Sequence, residues 1–235
     1  MNTSADGDPR SRAAWVAGLM YLLAIPPSLF DEFFITGKLV TSSAPETAAN
    51  LLAHERLFRV GIAGNVFVFA IDAVLMVALF LVLERVHRGL ALVAVAWGII
   101  ETTLLAVSAL SDLEALRLLS GSAILRGVAP STLQSLARSA LRGHATAYSL
   151  GLVFSGLRGT AFGVLWFRSR LIPKALAVWA IMASALLGAW TFAFIPFPEL
   201  HGGLSVVLFG APILLFELTM GIWLLVTNRP AVPAR

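Results

Sequence analysis

Six apolar runs divide the chain, at 13–30, 58–83, 90–110, 145–167, 175–195 and 204–226. A bilayer core about 30 Å thick takes about 20 apolar residues of α-helix. The pattern therefore predicts an all-α fold, a polytopic integral membrane bundle of six transmembrane helices. The fifth run carries no charge, whereas the others are bounded or broken by polar residues. Asp31 and Glu32 follow the first run. Asn65 and Asp72 lie in the second, Glu101 in the third, Arg158 in the fourth and Glu217 in the sixth. The first run has no Ala-x-Ala-like cleavage site and reads as a helix of the bundle.

The connections alternate in length. Residues 84–89 and 168–174 are short turns, and 31–57 and 111–143 are long. The long ones carry three helix-start signals, Ser43-Ala44-Pro45-Glu46, Ser111-Asp112-Leu113-Glu114 and Ser131-Thr132-Leu133-Gln134. Each pairs a hydroxyl with Glu or Gln three residues on. Leu133, Leu136, Ala137, Ala140 and Leu141 form one face of a helix whose other face holds Gln134, Arg138 and Arg142. Short interfacial helices are thus expected on the outer side, flanked by disordered tails over 1–12 and 228–235.

Composition sharpens the class. Apolar residues make up 58 % of the chain, charged residues 13 %, and the mean hydropathy is +0.87. The charged share is about half the globular average, which excludes a disordered chain and argues against a soluble domain. Without cysteine there is no disulfide, thiolate metal site or thiol nucleophile. The formal charge of +4 points to membrane lipids and not nucleic acid, because the basic residues cluster at the ends of apolar runs. The short-turn side, which also holds both termini, has nine basic residues and three acids. The opposite side has seven of each. By the positive-inside rule both termini face the cytoplasm.

Asp72, Glu101, Arg158 and Glu217 carry the candidate chemistry. Counted from the outer ends of their spans they lie about 14, 9, 14 and 13 residues deep, which at about 1.5 Å per residue puts all four near one level. A charge at the bilayer centre costs at least about 2.5–3.5 kcal/mol. The four should therefore face one another, with Arg158 paired to one of the acids. With three acids and one cation, one carboxyl is expected to keep its proton and be able to donate it.

His144, Tyr148, Gly151, Ser155, Arg158 and Phe162 are spaced three or four apart, a polar or small stripe on the fourth span. Asn65 with Asp72, and Trp97 with Glu101, share faces of their spans, and Trp223 follows Glu217. Together these suggest a substrate-binding cleft of Asn65, Trp97, His144, Tyr148, Ser155, Phe162 and Trp223. His54, Glu55, Arg59 and His201 form a rim. The rim lacks the close ligand spacing of a zinc site, so neither a metal nor another cofactor is implied.

The stretches ANLLAHERLFRVGI (49–62), FRSRLIPKA (167–175) and ELTMGIWLL (217–225) resemble a bacterial membrane family known as domain of unknown function 4386. The resemblance rests on Asn50, Glu55, Leu57, Phe58 and Arg59, on Ser169, Ile172, Pro173 and Lys174, and on Glu217, Trp223 and Leu224. It implies a multi-span bundle in the bacterial inner membrane and no particular activity. The residues themselves leave three functions open. One is an intramembrane enzyme of cyclase or isomerase type, moving protons on a lipophilic, isoprenoid-like molecule. The second is a small-molecule or proton-coupled transporter. The third is a non-catalytic binding or regulatory protein. Oligomeric state is not legible.

Overall fold

The computed structural model describes residues 8–41, 43–120, 127–197 and 206–227. The described residues are helical nearly throughout. Helix α1 spans Pro9–Phe30, so residues 9–12, expected in a disordered tail, are helical. A π-helical turn over Asp31–Thr36 and the short α2 (Gly37–Leu39) continue it. Then come α3 (Ala44–Ala53), α4 (Glu55–Leu119), α5 (Pro130–Ser169), α6 (Lys174–Ala193) and α7 (Val206–Thr227). Five helical stretches are long and apolar enough to cross a membrane, Pro9–Leu39, Glu55–Leu119, Pro130–Ser169, Lys174–Ala193 and Gly210–Thr227.

Helix α4 accounts for two of the six expected crossings. Its 65 residues would make a straight rod about 100 Å long, three times the hydrocarbon core. His87, at φ −162° and ψ 93°, breaks it. The His87 ring accepts a hydrogen bond from the Leu90 amide at 3.0 Å, which occupies one of the orphan donors at the start of the second half. The whole connection predicted at 84–89 is thus compressed into one non-helical residue.

Two of the three start signals stand at helix starts, and the one at Ser111 does not. Ser43 does cap α3, accepting from the Glu46 amide at 3.4 Å with proline in the first turn. Ser111 does not start a helix. Its hydroxyl bonds back to the Val107 carbonyl at 3.0 Å, Ala115 and Leu116 are fully buried, and α4 runs on to Leu119 because packing outweighs the local cap. The signal at Ser131 does stand at a helix start, but the amphipathic segment after it is no separate interfacial helix. Pro130 opens α5, and the helix passes through Gly143 into the fourth span without a break.

The residues group into two compact units, Met1–Ile25 with Ile71–Thr102 and Leu152–Arg235, and Pro26–Ala70 with Thr103–Gly151. In the first unit the core joins Tyr21, Leu79, Leu83, Leu165, Trp166 and Met220. Glycine brings its helices together. A Cβ on Gly156 would lie 2.4 Å from the Gly188 Cα and 2.7 Å from the Ser184 carbonyl oxygen, so α5 and α6 touch backbone to backbone. Gly18 and Gly221 do the same for α1 and α7, with 2.9 Å between a Gly18 Cβ and the Gly221 oxygen. Such contacts suit helices that gain nothing from burying apolar surface out of lipid. In the second unit Ile35, Leu51, Phe58, Ile62 and Leu116 form the core. Large apolar side chains remain uncovered, among them Met182 (65 % exposed), Phe192 (59 %) and Val77 (58 %), a surface that a membrane protein turns to lipid.

Candidate functional site

The charged residues of α4, α5 and α7 meet inside the first unit. Arg158 donates from Nε and Nη2 to the two carboxylate oxygens of Glu101, the second bond measuring 3.0 Å. This is the bidentate fork that a guanidinium makes with a carboxylate. Glu101 is 5 % exposed, so both charges are withdrawn from solvent and each depends on the other. Gly98, one turn before Glu101, gives the arginine its room. A Cβ there would fall 1.9 Å from the Met76 sulfur and 2.9 Å from Arg158 Cδ. Asp72 and Glu217, both half-buried, lie close enough to Arg158 and Glu101 to interact with them electrostatically, and Tyr21 belongs to the same field.

A small cavity of about 30 Å³ opens beside the pair. Its wall includes Tyr21, Ser155, Arg158, Phe162, Trp166 and Glu217, with Ser184 and Phe216. At about 10–15 Å³ per water centre it has room for two or three waters. Tyr21 and Phe216 meet edge to face, 6.3 Å apart at 82°. The Trp166 indole N–H is buried with no hydrogen-bond partner among the described residues. An orphan donor of that kind costs about 1–3 kcal/mol, and a water or ligand acceptor in the cavity would satisfy it. The guanidinium is engaged by Glu101, while Glu217 makes no ion pair among the described residues.

Of the residues singled out from the sequence, Ser155, Arg158, Phe162 and Glu217 line this cavity. Glu101 and Asp72 complete its charge cluster. Trp97 packs half-buried against the adjoining core. Trp223 is 36 % exposed on α7 and lies outside the cavity wall. Tyr21, Trp166, Ser184 and Phe216 are additions. Tyr21 carried a legible signal as the polar aromatic of the first span, whereas the other three read as ordinary core.

Asn65, His144 and Tyr148 belong to the second unit. There His144 Nδ1 lies 2.9 Å from Asp112 Oδ2, and Tyr148 stacks on the imidazole at 5.9 Å and 9°. Asn65 bonds Asp31. Thr36 donates to the same carboxylate at 3.3 Å, a five-residue spacing that the π-helical turn brings into register. The stripe read along the fourth span is thus shared between two units, its first part serving Asp112 and its second part the cavity. The rim residues Glu55 and Arg59 pair with each other at 2.8 Å next to the exposed His54. His201 lies outside the described residues. Among the described residues no group of three His, Asp or Glu is arranged to hold a metal.

The resemblance motifs have structural explanations as well. Asn50 Nδ2 bonds the Leu39 carbonyl at 3.4 Å. In the turn before α6, Ser169 accepts from the Leu171 amide at 3.2 Å, Arg170 adopts φ 58°, Ile172 is buried and Pro173 caps the helix.

Fold and site together define a multi-pass helical membrane protein with an ionic cluster embedded in one of its units. The chain belongs to the family described as domain of unknown function DUF4386, whose model matches residues 16–227. Neither a curated protein nor a solved structure matches it.

Proposed function

We propose that the first unit is an intramembrane enzyme that moves protons on a lipophilic, isoprenoid-like molecule, as in double-bond isomerisation or cyclisation. The observation that carries this reading is Glu217, a half-buried carboxyl in the wall of an aromatic cavity whose only cation among the described residues is already occupied by Glu101. A carboxyl so placed is suited to protonate an alkene carbon. The carbocation formed would face Tyr21, Phe162, Trp166 and Phe216, whose ring faces attract positive charge. Loss of a proton from the neighbouring carbon, to Glu217 again or to Asp72, completes an isomerisation with no net change in atoms. Enclosed ligand sites usually measure about 300–1,000 Å³. A cavity of about 30 Å³ therefore admits only the reacting end, and the body of the molecule stays in the bilayer.

The volume also favours a second reading, proton-coupled transport through the water-sized space. Glu217→Gln separates the two from a structural role and from each other. Lipid and isoprenoid extracts of cells with and without the protein identify product, and pH-sensitive dye in proteoliposomes reads proton movement. Under the enzyme reading the folded Gln variant loses product formation and the wild type shows no proton flux. A Gln variant with full activity defeats the proposal.

For location we propose the bacterial inner membrane with both termini cytoplasmic, on the strength of a net +6 on the short-turn side against 0 on the other. A reporter enzyme active only outside the cytoplasm, fused after Arg235, should stay silent.

A further inference from the structure

A second and larger hollow, of about 240 Å³, lies within the second unit. Val40 and Thr41 after α2 and Thr47 and Ala48 of α3 form one side. The first turns of α5 form another, with Gln134, Arg138 and Arg142 on the polar part and Ala137, Leu141 and Ala145 on the apolar part, closed by Leu119 at the end of α4. Its rim is tied. Thr41 donates from its amide to Thr47 Oγ1 at 2.9 Å, and Thr47 donates from that oxygen to the Thr41 carbonyl at 3.1 Å. Among the described residues no carboxylate lines the hollow. Glu46, just outside the lining, accepts from Thr41 Oγ1 at 3.1 Å.

From this we infer that the hollow is a binding site for an anionic phospholipid, its phosphate held by Arg138 and Arg142 and its first acyl carbons against Leu119, Leu141 and Val40. Three observations carry the assignment. The two arginines are one helical turn apart and line one hollow, and guanidinium groups bind phosphate oxygens in a planar, bidentate manner. The lining sets two guanidinium groups and the Gln134 amide beside the aliphatic side chains of Val40, Leu119 and Leu141, as the join between a headgroup and its chains requires. The depth also fits. The apolar run of α5 starts near Ala145, which puts Arg142 about 5 Å and Arg138 about 10 Å beyond it. A headgroup layer about 5–7 Å thick then contains Arg142, and the Arg138 side chain has to span the remaining few ångströms back to it. The volume is too small for a whole lipid and suits its polar end and the first carbons of one chain.

The test uses the purified full chain, stripped of lipid and offered phosphatidylglycerol or phosphatidylcholine, with retained lipid counted by native mass spectrometry. Phosphatidylglycerol should be retained at least tenfold more. A charge near the membrane surface contributes about 1 kcal/mol, so each of Arg138→Gln and Arg142→Gln should weaken retention roughly fivefold. Glu46→Gln should strengthen it. Arg56→Gln, which removes an exposed charge outside the hollow, should leave it unchanged. Circular dichroism checks the fold of each variant. Equal retention of the two lipids overturns the proposal. So does an equal loss in Arg56→Gln, which would mean surface charge alone, and so does displacement of the lipid by millimolar inorganic phosphate, which would mean a soluble anion.

Discussion

Removing the guanidinium from Arg158 should cost this protein more than removing the charge of its partner. Arg158→Met leaves Glu101 at 5 % exposure without its two charge-assisted hydrogen bonds. Asp72 and Glu217 lose the cation in their field as well. Opposite charges about 4 Å apart attract by about 4 kcal/mol at an effective dielectric constant of about 20. Breaking one partner of a buried pair costs about 3–5 kcal/mol in general. The arginine variant belongs at the upper end of that range, about 5 kcal/mol, because three carboxyls are left with no counter-ion. Glu101→Gln keeps the shape of the side chain and leaves Arg158 two other acids, so its loss belongs at the lower end, about 3 kcal/mol. The double change Glu101→Met with Arg158→Met removes both desolvated charges and should lose less than Arg158→Met alone. Chemical unfolding of the purified chain in detergent, followed by tryptophan fluorescence, measures all three. If the two single variants lose the same amount and the double variant loses their sum, the pair is not energetically coupled and the reasoning fails.

Two further outcomes follow from backbone geometry. Gly156→Ala puts a Cβ 2.4 Å from the Gly188 Cα, so α5 and α6 must part by roughly 1 Å to reach ordinary contact; the midpoint of thermal unfolding should fall, while Gly210→Ala, with nothing within 4 Å of its Cβ, should hold or raise it. Arg170 sits at φ 58°, where an L-residue pays about 1–2 kcal/mol; Arg170→Gly should therefore be neutral or stabilising by up to about 1 kcal/mol, and a clear drop in the same unfolding assay would show that the side chain matters more than the backbone.

The helices themselves were plain in the sequence because a span is defined by length and hydropathy, and both are local. Arg158 with its acids was equally plain, since charges in apolar runs have few places to go. Which acid takes the arginine was not. That choice depends on Gly98 giving Arg158 room beside Glu101, a contact between helices that no spacing encodes. The start read at Ser111, and the separate helix expected after Ser131, misled for the opposite reason. Both cap signatures are real local preferences, but Ala115 and Leu116 after the first and Ala137 after the second are buried by tertiary packing, which holds the helix through Ser111 and carries α5 on from Ser131 into the fourth span. The division of the α5 stripe between two units was hidden as well, because helical periodicity says which face a residue shares and not what that face meets.

The single-residue break at His87 has a consequence for how this chain can change length. From Leu90 to Glu101 the helix is continuous, so one inserted residue would rotate everything after it by about 100° and swing Glu101 away from Arg158. An insertion of three or four residues nearly restores the angle, but slides the carboxylate along the axis by about 5 Å. Related chains that keep this ion pair should therefore vary in length before Asp72 or after Glu101, and between His87 and Glu101 only where a matching change on α5 restores the meeting of the two side chains.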